Sequence, residues 1–514
     1  MRTSSEKADK PEKADKPEKA RGSEEVRTPE SAETPESART PESTSAPEKA
    51  VPAGAPARRT PRAPRHGRRR AIEVVVIALL IVAANVLINL GFELYGSLAN
   101  VMWDEYRAAA GEGIDTVVVG SSTGQRSFDP QVLDAALGTS TFNMATPAQE
   151  LDDSCAAARQ AIRDHHVRRV ILGVDYESLS FDNWAGSHVA FARAKMDGEP
   201  LPQAVADYWR LLVSPSFVRR ADSLCALFPW GYNHVKLDPG SVAANVRERL
   251  SGDGTLEAAK VVNGGWTYYG RGYGNYDNVI DYSLARKETS VAIHGTSDFK
   301  EACLNQVADI ARLCRESGVQ LVVVVTPRPA FNVLVYGEKY PEQMSRLQRV
   351  VEQGGGTFVD ANLLRSEAYS PLDADFGDGE HLNRTGATRF SQAFASVLQA
   401  LDAGQDIGAL SYSYDRWDQY LSSIKHLSAI VSRLDVGDDG TATVTAQAYT
   451  GTDVQVEYRF LLVGEDGGTT VLRDWSSADS CDVPQGSRGQ VMVCARQVGS
   501  TADYERYCLQ GLAR

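Results

Sequence analysis

A serine and a histidine far apart in the chain have the types and settings for nucleophilic chemistry. Ser122 follows the β-branched run 116–119, which Gly120 ends. A serine on a sharp turn after a buried strand projects from the carboxyl edge of the sheet, where open α/β folds bind ligands. Its hydroxyl needs a base to take its proton. His381 is the candidate base, and Asp378, three residues earlier, is the candidate orienting acid.

These two blocks resemble those of the SGNH/GDSL-type hydrolases. Gly120-Ser121-Ser122 resembles the family's nucleophile block, and Asp378-x-x-His381 resembles its Asp-x-x-His block. The resemblance covers roughly residues 110–402 and is greatest to membrane-anchored members that act on cell-envelope polymers, such as the D-alanyl transfer proteins of teichoic acid modification. It implies acyl transfer through a serine ester, with water or a polymer hydroxyl as the acceptor. It implies no metal and no cofactor.

The donors for an oxyanion are the unusual part of this resemblance. The family usually adds a glycine N–H from a second block and an asparagine amide from a third to the N–H of its serine. Here Asn143-Met-Ala145 occupies the second-block region, and Asp175 stands where the asparagine is expected. An ionised carboxylate cannot donate a hydrogen bond. Asn143, Ala145 and Asp175 are therefore the candidate oxyanion or substrate-binding residues, and the third donor is either missing or replaced by Asn143.

Other acids and histidines have less favourable positions. Asp373 and Asp375 could take the place of Asp378, but only Asp378 has the spacing of the block. Two histidines end a predicted helix, where they favour interaction with the helix dipole. Three more lie in a stretch with no fixed spacing to an acid. These five are His165 and His166, then His188, His234 and His294.

Strands and helices alternate along the segment that must position these residues. The pattern predicts an α/β fold with a three-layer parallel sheet. Strands are predicted at 116–119, 141–143, 169–173, 319–325 and 357–360, and helices from Asp129-Pro130 and at 149–166, 298–316, 341–353 and 384–402.

Residues 177–296 break this rhythm and are predicted to form an irregular insert. The insert contains an aromatic and glycine-rich run, 264–276. This run could form a sugar-stacking wall or a lid, or it could pack on the core of the insert. The packing interpretation is favoured, because aromatic side chains more often serve packing.

The N-terminal region predicts a membrane anchor. Residues 1–70 are low in complexity and poor in apolar residues, which is typical of a disordered tail. The almost wholly apolar stretch 74–92 is long enough to cross a bilayer, and we place a transmembrane helix at 71–96. The arginines in 58–70 predict a cytoplasmic tail and extracytoplasmic main domains. A signal peptide is the competing interpretation, but the long tail and the lack of a small-residue cleavage site favour a retained anchor.

The pattern changes again near the C-terminus. After the SGNH-like segment 97–404 and a linker at 405–422, residues 423–514 alternate with a period of two and predict a β-sandwich. This module resembles the three-Tyr β domain of secreted bacterial proteins. Outside the membrane, one disulfide is expected among Cys481, Cys494 and Cys508.

Net charge and motif content argue against two classes of function. The formal net charge of −13 argues against a nucleic-acid partner, and the sequence has no Cys-x-x-Cys and no His-Glu-x-x-His zinc motif. The hypothesis is an extracytoplasmic serine esterase or O-acyltransferase acting on acyl esters of a cell-envelope glycan or teichoic-type polymer. The resemblance implies a membrane-bound O-acyltransferase as a partner. The alternative is a non-catalytic envelope polymer-binding or scaffold protein with a degenerate SGNH fold.

Overall fold

The computed structural model describes residues 65–92, 98–181, 185–220, 222–233, 238–251, 261–262, 266–285 and 297–512. The predicted tail up to residue 64 lies outside these residues, as do 93–96 of the predicted anchor, residues 264–265 of the aromatic run, His234 and His294.

Strands occur in a central parallel sheet, a small antiparallel sheet and two C-terminal antiparallel sheets. In chain order they are β1 (Thr116–Gly120), β2 (Thr141–Asn143), β3 (Arg169–Val174), β4 (Val261–Val262), β5 (Trp266–Gly270), β6 (Tyr273–Tyr276), β7 (Gln320–Val325), β8 (Thr357–Asp360), β9 (Leu427–Val436), β10 (Ala442–Thr450), β11 (Val456–Val463), β12 (Thr469–Ser476), β13 (Ser480–Val483), β14 (Gln490–Gln497) and β15 (Arg506–Gly511).

The central sheet has the order β2-β1-β3-β7-β8, and neighbouring strands are parallel. Successive strand residues point to opposite faces. Val117 and Val119 accordingly join one core cluster, whereas Val118 joins the other. Helices cover both faces, so the predicted three-layer α/β architecture is confirmed. The helices of this domain are Leu98–Ala108, Ser122–Ser127, Pro130–Leu137, Leu151–His165, Tyr176–Ser180, Glu301–Glu316, Ala330–Leu334, Lys339–Gln353 and Arg384–Asp402.

The described part of the insert is more regular than the sequence predicts. Its apolar residues do not follow the spacing of the main domain, but four of them, Val189, Leu211, Phe217 and Ala226, form a small core of their own. Its helices are Ala185–Met196, Leu201–Val213, Pro215–Val218, Ser223–Ala226, Pro229–Asn233 and Pro239–Ser251.

His188 of this insert has an acidic partner that the sequence analysis did not find. Its Nδ1 lies 2.8 Å from Asp153 Oδ1, and its Nε2 lies 2.9 Å from Ser214 Oγ. Asp153 is on helix Leu151–His165, so the contact fastens the insert to the main domain. No local spacing could reveal it, because the two side chains come from different elements.

Two antiparallel sheets, β13-β10-β9 and β12-β11-β14-β15, enclose a single apolar core near the C-terminus. The predicted linker is itself folded, since Trp417 and Tyr420 of helix Trp417–Ser423 are buried against the α/β domain.

The prediction of a disulfide in this module is wrong, because Cys481, Cys494 and Cys508 all carry free thiols. Cys481 and Cys508 line the sandwich core from different sheets. Cys494 points to the opposite face of its sheet, since its strand neighbours Val493 and Ala495 fill the core.

One long apolar helix, Arg65–Phe92, lies near the N-terminus. Its segment Arg69–Phe92 spans 24 residues and contains an 18-residue window with a mean hydropathy of 2.8, so it is long and apolar enough to cross a membrane.

Candidate active site

The turn after β1 places Ser122 at the carboxyl edge of the sheet. Gly120 has φ +142°, and a Cβ there would lie 2.3 Å from the carbonyl oxygen of Gly173 on β3. The turn therefore requires glycine, and it brings β1 directly into a helix whose first residue is Ser122. From β1 the chain adds β2 on one side of the sheet and then β3, β7 and β8 on the other side. Open α/β sheets bind ligands at such a reversal of strand order, which here lies between β1 and β3.

Ser122, His381 and Asp378 meet at this edge. His381 Nε2 lies 2.8 Å from Ser122 Oγ, although the residues are 259 positions apart. His381 Nδ1 lies 2.8 Å and 2.9 Å from the two carboxylate oxygens of Asp378. A neutral imidazole with its proton on Nδ1 donates to Asp378 and accepts from the serine hydroxyl. The arrangement can therefore remove the proton from Ser122.

The loop that carries the acid and the base is fixed by its own backbone. Asp378 Oδ1 accepts hydrogen bonds of 2.8 Å from the N–H groups of both Glu380 and His381. Burial acts to raise the pKa of Asp378, but the facing His381, the Arg126 guanidinium and the Glu380 N–H outweigh it and hold the pKa well below its ordinary value. Asp378 is thus ionised at neutral pH, as an orienting acid must be.

The two alternative acids are engaged elsewhere. Asp375 forms an ion pair with Arg389, and Asp373 forms one with Arg506 of the C-terminal module. Of the three acids that the sequence analysis considered, only Asp378 contacts His381.

Arg126 is a site residue that the sequence analysis missed. Its Nη1 lies 3.3 Å from Asp378 Oδ2, and its guanidinium lies 4.7 Å from the centre of the Tyr276 ring. Arg126 is one helical turn after Ser122, so a helix predicted from Ser122 would have placed both on one face.

Asp175 stabilises the serine turn by accepting hydrogen bonds, and it is not a donor for an oxyanion. Its Oδ2 accepts hydrogen bonds from the hydroxyls of Thr123, at 2.9 Å, and Ser121, at 3.3 Å. Burial acts to raise the pKa of Asp175, but Arg328, the Ser178 N–H and the side chains of Thr123 and Ser178 lower it below its ordinary value. The carboxylate is therefore ionised and holds the two residues that flank Ser122.

Asn143 and Ala145 also shape the turn. Asn143 is fully buried, and its amide group donates to the carbonyl oxygens of Gly124, Gln125 and Phe128 at 3.0–3.3 Å. Its Oδ1 accepts from the Ala145 N–H at 3.0 Å. These bonds engage the donors of both residues, so neither has a hydrogen directed at an oxyanion in this conformation.

The described part of the aromatic run is largely packed. Trp266, Tyr268 and Tyr273 are only 3%, 8% and 1% exposed. Tyr276 faces Arg126, and Tyr269 lies 4.3 Å from the Arg384 guanidinium. The packing interpretation therefore fits these strands, which support the Ser122 helix from one side.

Within the described residues, no group of three or more His, Cys, Asp or Glu side chains is arranged to hold a metal ion.

No protein-family model matches this sequence, and a search of curated proteins found no match. Among solved structures, a Bacteroides fragilis NCTC 9343 protein described provisionally as an acylhydrolase aligns at 9% identity and a TM-score of 0.27, over 59% of this chain and 96% of its own. A GDSL-like lipase from Bacteroides thetaiotaomicron VPI-5482 aligns at 8% identity and a TM-score of 0.26, over 60% of this chain and all of its own. At these TM-scores neither likeness supports an argument about function, and the chemistry of the chain has to follow from its own side chains.

Proposed function

We propose that this protein is a serine esterase or O-acyltransferase. The supporting observation is the continuous hydrogen-bonded series from Ser122 Oγ through His381 to the ionised Asp378, at the sheet edge where ligands bind. Each contact has the geometry needed for proton transfer and for orienting the imidazole.

In the proposed reaction, Ser122 Oγ attacks the carbonyl carbon of an ester while His381 Nε2 takes the hydroxyl proton. The bond to the leaving alkoxide then breaks, and the alkoxide takes that proton from His381. Water or a polymer hydroxyl attacks the serine ester in the same way and releases the acyl group. The Ser122 N–H, in the first helical turn and without an intrahelical acceptor, is the proposed oxyanion donor.

The proposed substrate is an acyl ester on a cell-envelope glycan or teichoic-type polymer, outside the cytoplasm. This part of the proposal is supported by the apolar helix and by the arginines that precede it. A membrane-bound O-acyltransferase is the proposed partner, because it would deliver acyl groups on the same side of the membrane.

The second candidate function is non-catalytic binding of an envelope polymer. It is favoured by one observation: Asn143 and Ala145 use their donors within the protein, and Asp175 is an acceptor. Each missing oxyanion donor lowers the rate by about 10²–10³-fold.

A fluorophosphonate probe distinguishes these functions, because it reacts covalently only with an activated serine. We expect the wild-type protein to be labelled at Ser122, and Ser122→Ala and His381→Ala to lose labelling by at least about a thousandfold. The measurement is the labelling rate, with the modified peptide identified by mass spectrometry.

Ser214→Ala is the matched control, because Ser214 also contacts a histidine that contacts an aspartate, yet it lies in the insert. We expect this variant to label at the wild-type rate. A wild-type protein that does not react would favour the polymer-binding function.

A further inference from the structure

The insert carries an unusual row of exposed apolar side chains. On helix Leu201–Val213 these are Leu201, Val205, Trp209 and Val213, which are 77%, 48%, 64% and 69% exposed. They recur every fourth residue, so they form one ridge along the helix. The opposite side of the helix carries Leu211, which is buried in the core of the insert.

Further exposed apolar side chains follow along the segment 218–230. Val218, Leu224, Phe228 and Trp230 are 68%, 67%, 43% and 44% exposed. Together with the four residues of the ridge, these side chains are termed the apolar face of the insert. A folded domain that exposes this many large apolar side chains normally uses them to bind another surface.

Contacts between the insert and the apolar helix Arg65–Phe92 indicate what that surface meets. Trp230 Nε1 donates to Asn85 Oδ1 at 3.1 Å, and Asn233 Nδ2 donates to the Phe92 carbonyl at 2.9 Å. Asn245 Nδ2 donates to the Gly91 carbonyl at 2.9 Å.

Packing at Gly91 is also close, since a Cβ there would lie 2.7 Å from Val242. The insert is therefore joined to the last turns of the apolar helix.

The depth of this contact follows from helix geometry. Asn85 precedes Phe92 by roughly two turns, or about 10 Å along the axis. A hydrocarbon core of about 30 Å that begins after Arg70 ends close to Phe92. Trp230 therefore contacts the helix about 10 Å inside the edge of this core. The apolar faces of interfacial helices reach about this depth.

We propose that the apolar face of the insert lies in the interfacial layer of the same bilayer that helix Arg65–Phe92 crosses. The occupant of the face is lipid, with acyl chains against Val205, Trp209 and Val213. Helix Leu201–Val213 then lies in the plane of the membrane, as amphipathic helices with aromatic and aliphatic faces do. The inference rests on the proposed membrane crossing, but not on catalysis.

Tryptophan quenching by lipids with brominated acyl chains tests this placement. The helix Arg65–Phe92 contains no tryptophan, so quenching of the full-length protein in vesicles reports on other segments. We expect brominated phosphatidylcholine to quench part of the wild-type emission. The double variant Trp209→Phe/Trp230→Phe should lose at least half of the quenchable part, and phenylalanine keeps both sites apolar.

Trp475→Phe, in the C-terminal module, is the control and should leave the quenchable part unchanged. The placement is overturned if vesicles quench no emission, or if the double variant is quenched as strongly as the wild type. Fluorophosphonate labelling of the same samples is independent of lipid contact, so a failure of the membrane placement and a failure of the proposed chemistry are told apart.

Discussion

Arg328 is the buried cation on which the carboxylates beneath the serine turn depend. Its guanidinium forms an ion pair with Glu177 and lies 3.7 Å from Asp175. Asp175 in turn binds the hydroxyls of Ser121 and Thr123. A buried charge that loses its partner costs far more than an exposed ion pair contributes.

Replacing Arg328 with methionine should therefore lower the free energy of unfolding by about 3–5 kcal/mol, because two buried carboxylates lose their countercharge. Denaturant unfolding measures this loss. Arg168→Met is the control: Arg168 pairs with Asp115 but its side chain is 77% exposed, so its loss should cost at most about 1 kcal/mol. Equal losses in the two variants would refute the role given to Arg328.

At the scale of elements, the short helix Ser122–Ser127 shows where sequence reasoning stops. The turn at Gly120 and the cap at Asp129 were both predictable from residue types, and Asp129 Oδ1 does accept from the Gln131 N–H. The helix between them was not, because Ser-Thr-Gly-Gln-Arg-Ser has no apolar periodicity. Its carbonyls are held by Asn143, a residue on another strand, so the structure depends on a tertiary contact.

Gly120→Ala should disrupt this element. The positive φ disfavours alanine by about 1–3 kcal/mol, and the new Cβ would collide with the Gly173 backbone. We expect slower fluorophosphonate labelling of Ser122 together with a lower free energy of unfolding.

Gly138→Ala is a useful comparison, because Gly138 also has a positive φ, +67°, but a Cβ added there would meet no described atom within 4 Å. It should lose stability through strain alone and should keep the labelling rate. The role of the close approach at Gly120 is refuted if both variants label equally fast.

At the scale of the whole molecule, the strand order brings distant segments to one edge. The alternating pattern was sufficient to predict a parallel sheet. The resemblance of the two blocks to those of SGNH/GDSL-type hydrolases implied that Ser122 and His381 meet at its edge. The pattern did not predict the helices of the insert, which is fastened to the main domain by a contact between elements, Asp153 with His188. It also did not predict that residues 405–422 fold, because this segment is short and its pattern is irregular. Trp417 of that segment stacks on Tyr340 with ring centres 5.7 Å apart.

A chain that ends at residue 404 should therefore be less stable than one that ends at residue 424. The longer chain keeps Trp417 and Tyr420, which fill the α/β core, and losing a large buried aromatic costs about 3–5 kcal/mol. Urea unfolding of the two proteins gives the difference. If their midpoints coincide, this segment is a linker without a structural role.

The hydrogen bonds from Asn233 and Asn245 to the end of the apolar helix have a consequence for how substrate is found. A reactive hydroxyl on a domain joined to its helix by a flexible linker would move through a wide volume above the lipid. Under the proposed membrane crossing, these hydrogen bonds fix the domain to the end of helix Arg65–Phe92. The Ser122 hydroxyl then stays at a constant height above the lipid and searches in two dimensions. We therefore expect the proposed esterase to process esters close to the lipid surface and not esters farther from the membrane.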